Sequence, residues 1–267
     1  MSYQPAVARQ RLWVLSAVLA ALLAAAFVAG PFLKSLTTEW YADGRPFLGI
    51  PNFLNVVSNA AFLAIGVAGL VLCARMPRGE PALAAWGVFY AGMVLTCCGS
   101  TWYHLAPSDD GIVWDRLGMV VAFVGLGAAL IAESIRAPIP VPLLALALLF
   151  AAGSVLWWHA SGDLRIYAWV QLAPLACAAT ALALRWLVPQ LAKLLAISLG
   201  LYVVAKIAET FDAGVYRLSA HAVSGHTLKH LLAAASAAVL LAWQWRALQP
   251  EGARMLARDH SNRKRRP

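Results

Sequence analysis

The sequence predicts an all-α polytopic transmembrane bundle, with a seven-span core and one extra span at the N-terminus. Of its 267 residues 61% are hydrophobic and only 12% charged, whereas a soluble domain of this size carries about 25% charge. The apolar residues also run in uninterrupted blocks of about 20, the length at which a helix crosses the hydrocarbon core of a bilayer. The short alternating segments of a membrane β-barrel are missing.

The first block, residues 12 to 33, holds no charge and follows Arg9 and Arg11. A cleaved signal peptide has an apolar core of about 7 to 15 residues, so this longer run is expected to stay as a helix. A polar connection follows, with Glu39, Asp43, Gly44 and Arg45. The second block, 52 to 74, opens on Asn52, Asn55, Ser58 and Asn59. Amides at the head of a membrane helix need partners, because an unsatisfied polar group is costly in lipid; interhelical hydrogen bonding is the plain reading. Further spans are expected at 82 to 104, 112 to 134, 140 to 158, 167 to 187, 191 to 210 and 227 to 248. That divides the chain into an N-terminal tail and extra helix (1–34), a seven-span domain (35–248) and a basic tail (249–267).

Charge tests this count. With the N-terminus inside, the inner segments carry Arg9, Arg11, Arg75, Arg78, Arg136, Arg185, Lys193 and the seven basic residues from Arg246 onward, which makes 14. The outer loops carry 3: Arg45, Arg165 and Arg217. Cationic residues collect on the cytoplasmic side, so both termini are expected there, and an even number of spans follows. The same placement explains the net charge of +9 without nucleic acid, since a basic tail meets anionic lipid. Richness in alanine and arginine points to a bacterial cytoplasmic membrane. Cys73, Cys97, Cys98 and Cys177 lie in or beside apolar blocks without a disulfide pattern.

Three distant segments bring polar groups to one depth near the outer face. Ser100 and His104 close the third span four residues apart, Asp115 opens the fourth, and His226 and His230 open the eighth. Residues four apart on a helix share a face, about 6 Å along its axis, and this is the spacing by which one helix offers two imidazoles to zinc. A third histidine, His104, would complete a three-nitrogen site with one position open, the catalytic form of a zinc centre. His-x-x-x-His also arises by chance, so the pair gains weight only from His104 and from Asp115, an ionisable group whose burial is expensive. Lys206 and Glu209 read as a pair or as snorkelling side chains, and Glu133 near Arg136 as interfacial. His221, Ser219, Ser224, Asp212, His159 and Asp163 read as loop residues able to touch the site.

The order Asn55-Val-Val-Ser58-Asn59, Ser100-x-x-x-His104, Asp115 and His226-x-x-x-His230 resembles the alkaline ceramidases. These belong to a superfamily of seven-span, zinc-dependent membrane hydrolases that also includes adiponectin-receptor-like proteins. The likeness covers about residues 39 to 248. It implies zinc (Zn2+) held by His104, His226 and His230, with Ser100 and Asp115 as catalytic groups beside it. The implied activity is hydrolysis of the amide bond of a ceramide-like N-acyl sphingolipid, drawn from the membrane, to a sphingoid base and a fatty acid. The Ser-His, Asp and His-x-x-x-His set is common to the superfamily, and the Asn-x-x-Ser-Asn run tilts the substrate toward ceramide. A lipid-sensing receptor, a hydrolase of another acyl lipid and a transporter are the alternatives, the last without the inverted repeat it would need. The family also has a calcium (Ca2+) site, for which Glu39, Trp40 and Asp43 could supply part. The acidic position before the Asn run is Asn52 here, which leaves calcium open.

Overall fold

The computed structural model describes residues 4–32 and 41–248. Among these, helices long and apolar enough to cross a membrane number eight, and the architecture is an all-α polytopic bundle. In order they are α1 (Pro5–Val28), the pair α2 (Phe53–Val57) and α3 (Ala60–Arg75), α4 (Leu83–Leu105), α5 (Asp109–Ile135), α6 (Val141–Ser161), α7 (Arg165–Ala183), α8 (Pro189–Thr210) and α10 (Gly225–Leu248), with a short surface helix α9 (Asp212–Leu218) before the last. The basic tail 249–267, Glu39 and Trp40 lie outside the described residues.

Two spans differ from expectation. The first starts at Pro5 rather than residue 12 and ends at Val28 rather than 33. Gly30 at φ +86° stops it, and Pro31 cannot continue it. Its N-terminal turns carry their charge because Arg11 is partnered: its guanidinium donates to the Ser134 carbonyl and lies 5.4 Å from the Trp186 ring. The second block is broken at Ser58 and Asn59. There the Ser58 hydroxyl and the Asn59 amide both donate to the Asn55 carbonyl, at 3.1 and 2.9 Å. The Asn59 backbone N–H bonds Val56 instead. Side-chain donors thus displace the i→i−4 bond and leave a tightened turn in mid-span.

The helices nearest the site approach to backbone contact. A Cβ on Gly99 of α4 would stand 2.1 Å from the Trp114 carbonyl oxygen, and one on Gly118 of α5 would stand 2.4 Å from the Thr96 nitrogen. Small residues permit this close packing between membrane helices, and it sets the last turns of α4 against the first turns of α5. Helices α8 and α10 pack extensively along their length. Each of Ser198 and Ser236 donates to the other's backbone carbonyl across this seam, at 2.9 and 2.8 Å. The core at the opposite end is aromatic, built on Trp86, Phe89, Tyr90 and Trp243. Helix α1 lies outside this arrangement, against α5 and α7.

Candidate metal centre

His104 sits in the last turn of α4, His226 and His230 in the first two turns of α10. All three are buried, with at most 5% of their surface exposed. Each offers a ring nitrogen within 4.8 Å of the others'. The Nε2 atoms of His104 and His226 are 3.2 Å apart. Two nitrogens bound tetrahedrally at about 2.0 to 2.1 Å from one zinc are separated by about 3.3 Å, so the spacing suits a shared ion. Tyr41 covers the pair, its ring 4.8 Å from that of His104 and 4.3 Å from that of His226.

The broken second span gives His230 a partner for one ring nitrogen. The Ser58 hydroxyl lies 2.8 Å from His230 Nδ1 and 3.1 Å from the Asn55 carbonyl. With its one proton directed to that carbonyl it accepts from Nδ1–H, and in this tautomer the lone pair of Nε2 is left for a metal. This is the outer hydrogen bond by which a ligating imidazole is oriented. Asn55 extends the support. Its Nδ2 donates to the Asp43 carbonyl at 3.1 Å, and its Oδ1 accepts from the Thr227 hydroxyl at 2.7 Å. Thr227 is also the acceptor for Ser224. The Asn-x-x-Ser-Asn run does form interhelical hydrogen bonds, and their end point is a histidine of the cluster.

Ser100 and Asp115 are both buried and line, with His230, an apolar cavity of about 120 Å³ between α4, α5, α8 and α10. Asp115 lies in the second turn of α5 rather than at its start. It is paired with Arg116, 3.3 Å from carboxylate to guanidinium. The cavity extends along α4 to Phe89, eleven residues from Ser100, about 16 Å at the helical rise. A second, polar cavity of about 500 Å³ opens on the other side and is lined by His226, Tyr41, Arg116 and Asp212. The two share Met119, Lys206 and Glu209.

The residues that the sequence reads as a pair or as loop groups able to touch the site divide into two sets. Lys206 and Glu209 do pair, but Glu209 also accepts from Lys229 at 2.9 Å, and Lys229 Nζ is 3.3 Å from His226 Nε2. The i, i+3 spacing of His226 and Lys229 was the available signal. Asp212 is a structural clamp: its two carboxylate oxygens accept the backbone N–H groups of Ala42 and His226, at 2.8 and 2.7 Å. That holds the loop carrying Tyr41 onto the start of α10. Ser224 is fully buried in the Asn55 network. His159 meets Asp110, Asp163 meets Arg165 and His221 packs on Tyr216, all apart from the cluster. Glu133 accepts from Trp86 at the opposite end of α4.

Two of the residues considered for calcium are otherwise engaged. Both carboxylate oxygens of Asp43 are taken by the Arg45 guanidinium, each at 2.8 Å. That hydrogen bonding, with the nearby cation, holds the Asp43 carboxyl below its usual value. Asn52 donates its amide to the His104 carbonyl at 2.9 Å, which fixes the end of α4. Arg45 thus supplies the positive charge beside Asp43. Among the described residues the three histidines form the one group of His, Cys, Asp or Glu side chains arranged to hold a metal ion.

No protein-family model and no curated protein matches the chain. The function is therefore argued from the site's own chemistry.

Proposed function

We propose that this is a zinc-dependent intramembrane amidase of the alkaline ceramidase type, cleaving ceramide-like N-acyl sphingolipids. The reading is carried by one observation: three buried imidazoles stand together, His230 lining an apolar cavity and His226 a polar one. A ceramide-like lipid has a comparable division at the scissile bond, with the acyl chain on one side and, on the other, the hydroxyl-bearing head of the sphingoid base.

His104, His226 and His230 would hold the ion, which when bound lowers the pKa of a coordinated water to about 7 and polarises a carbonyl. The remaining work falls to the chain's own groups. Asp115 takes the proton of the attacking water and passes it to the leaving nitrogen. Ser100, on the same cavity wall, donates to the carbonyl oxygen as charge develops there. Ser58 keeps the His230 ring turned so that Nδ1 carries its proton. The apolar walls of Phe62, Phe89, Met93 and Phe123 receive the acyl chain and exclude water. The products are a fatty acid and a sphingoid base.

The 14-to-3 distribution of basic residues supports an orientation with both termini cytoplasmic and the site near the outer leaflet. The alanine- and arginine-rich composition fits a bacterial cytoplasmic membrane. Purified protein incubated with a panel of N-acyl and O-acyl lipids, read by mass spectrometry, tests the reading. Cleavage of the N-acyl sphingoid lipid that is abolished by Asp115→Ala or His226→Ala, with membrane insertion retained, is the expected result. Undiminished turnover by either variant refutes the assigned roles. Bound lipid without turnover in the unmodified protein would mark a lipid sensor of the adiponectin-receptor kind instead.

A further inference from the structure

The Lys229–Glu209–Lys206 group is not needed to hold the histidines, yet it stands beside them. Glu209 gives one carboxylate oxygen to Lys229, at 2.9 Å, and the other to Lys206. Two ammonium groups on one carboxylate leave a surplus positive charge. Lys206 alone would neutralise Glu209, and its side chain is half exposed, whereas that of Lys229 is 15% exposed. An uncompensated buried cation is costly, so the arrangement calls for an anion. The close packing of α10 on α8 brings it about: a Cβ on Gly225 would stand 2.0 Å from the Ala208 carbonyl oxygen.

The position says where that anion arises. Lys229 lines the apolar cavity with His230 and Ser100, and its Nζ lies 3.3 Å from Nε2 of His226, which faces the polar cavity. An ammonium has three donors. One is directed at Glu209; with Nε2 of His226 committed to the metal, the others are left for a ligand beside it. A lipid lying with its chain in the apolar cavity and its base in the polar one has its acyl carbonyl at this junction.

We propose that Lys229, anchored by Glu209, is the catalytic residue that meets the negative charge on the acyl oxygen, first as the oxyanion of amide cleavage and then as the carboxylate of the released fatty acid. This rests on the hydrolase reading for its first half only. In the reaction, water oxygen bonds to the carbonyl carbon as the C=O π pair moves onto oxygen facing Lys229. The water proton goes to Asp115. Collapse restores the C=O bond, breaks C–N and sends that proton to nitrogen, and the acid gives its remaining proton to the released amine, leaving the carboxylate that Lys229 holds.

The experiment uses full-length, zinc-loaded protein in detergent, with Lys229→Met and Lys229→Gln. Oleate and oleyl alcohol, alike in chain and different in charge, are titrated calorimetrically, and bound zinc is counted by mass spectrometry. Both variants are expected to bind oleate about ten- to a hundredfold more weakly, as for loss of a charged hydrogen bond. Oleyl alcohol should bind as before, with zinc retained at one per chain. On an N-acyl sphingosine, kcat should fall about 10²- to 10³-fold with KM little changed, the size of effect seen when an oxyanion donor is removed. An unchanged preference for oleate over the alcohol overturns the proposal, and so does loss of zinc or equal weakening of both ligands, which would make Lys229 a structural residue. If the unmodified protein cleaves nothing while the variants lose their oleate preference, Lys229 stands as the carboxylate-binding group and the hydrolase reading fails separately.

Discussion

Replacing Ser58 by alanine removes one oxygen atom and no metal ligand, and it should nevertheless weaken zinc binding. The hydroxyl accepts His230 Nδ1–H over 2.8 Å in a setting where both side chains are buried. Without it that N–H keeps only the Asn55 backbone carbonyl, and the ring is held less firmly against turning or moving its proton to Nε2, where it would block the lone pair. A buried polar group left unsatisfied costs about 1 to 3 kcal/mol. At about 1.4 kcal/mol per decade, the zinc dissociation constant should rise about 5- to 150-fold, in line with the 10- to 100-fold typical of lost outer-shell partners. Competition against a chromogenic chelator at fixed pH measures this without any substrate, and circular dichroism checks that the bundle persists. An affinity within about twofold of the unmodified protein would show that Ser58 does not orient His230.

Two other consequences can be measured on the same material. Gly99→Ala should force α4 away from α5, because the new methyl would lie 2.1 Å from the Trp114 carbonyl oxygen, whereas Gly87→Ala on the same helix meets nothing within 4 Å. A loss of about 1 to 3 kcal/mol and a lower thermal midpoint for the first, with little change for the second, is the expected contrast in a detergent melt. Asp43 is held below its ordinary carboxyl value by Arg45, so its share of stability is present above the unfolded value of about 3.9. That share is lost as pH falls through the lower folded value. Thermal midpoints followed from pH 6 down to pH 3 should therefore fall less steeply for Asp43→Asn than for the unmodified chain, and parallel curves would contradict the ion pair.

The three histidines were legible in the sequence because depth in a membrane is a one-dimensional quantity. Counting spans and alternating loops is enough to bring the end of α4 and the start of α10 to one level, and a four-residue spacing is enough to turn His226 and His230 the same way. Direction around each helix axis is not encoded by that count. The sequence could not tell that Lys229 looks toward α8 and Glu209. Ser58 was marked in the sequence as a polar group in need of a partner, but that partner was not legible, for a related reason. Its role depends on a local exchange of hydrogen bonds at Asn55 that breaks the helix, and an apolar block read by hydropathy alone looks continuous. The first helix was misjudged at its start because Arg9 and Arg11 look like flanking charges until Ser134 and Trp186 appear beside Arg11.

By itself the sequence determined that the chain is an all-helical bundle of membrane-crossing segments, because about 20 consecutive apolar residues have no other way to satisfy their backbone in lipid. It also determined which end of each span carries polar groups. Only the tertiary structure decided which of those groups face one another. Helices α4 and α5 meet at glycines, α8 and α10 pack closely, and those contacts bring the three imidazoles together and turn His230, Asp115 and Lys229 toward one cavity. Rotation about a helix axis is set by packing against neighbours far away in the chain, and no local pattern of residues records it.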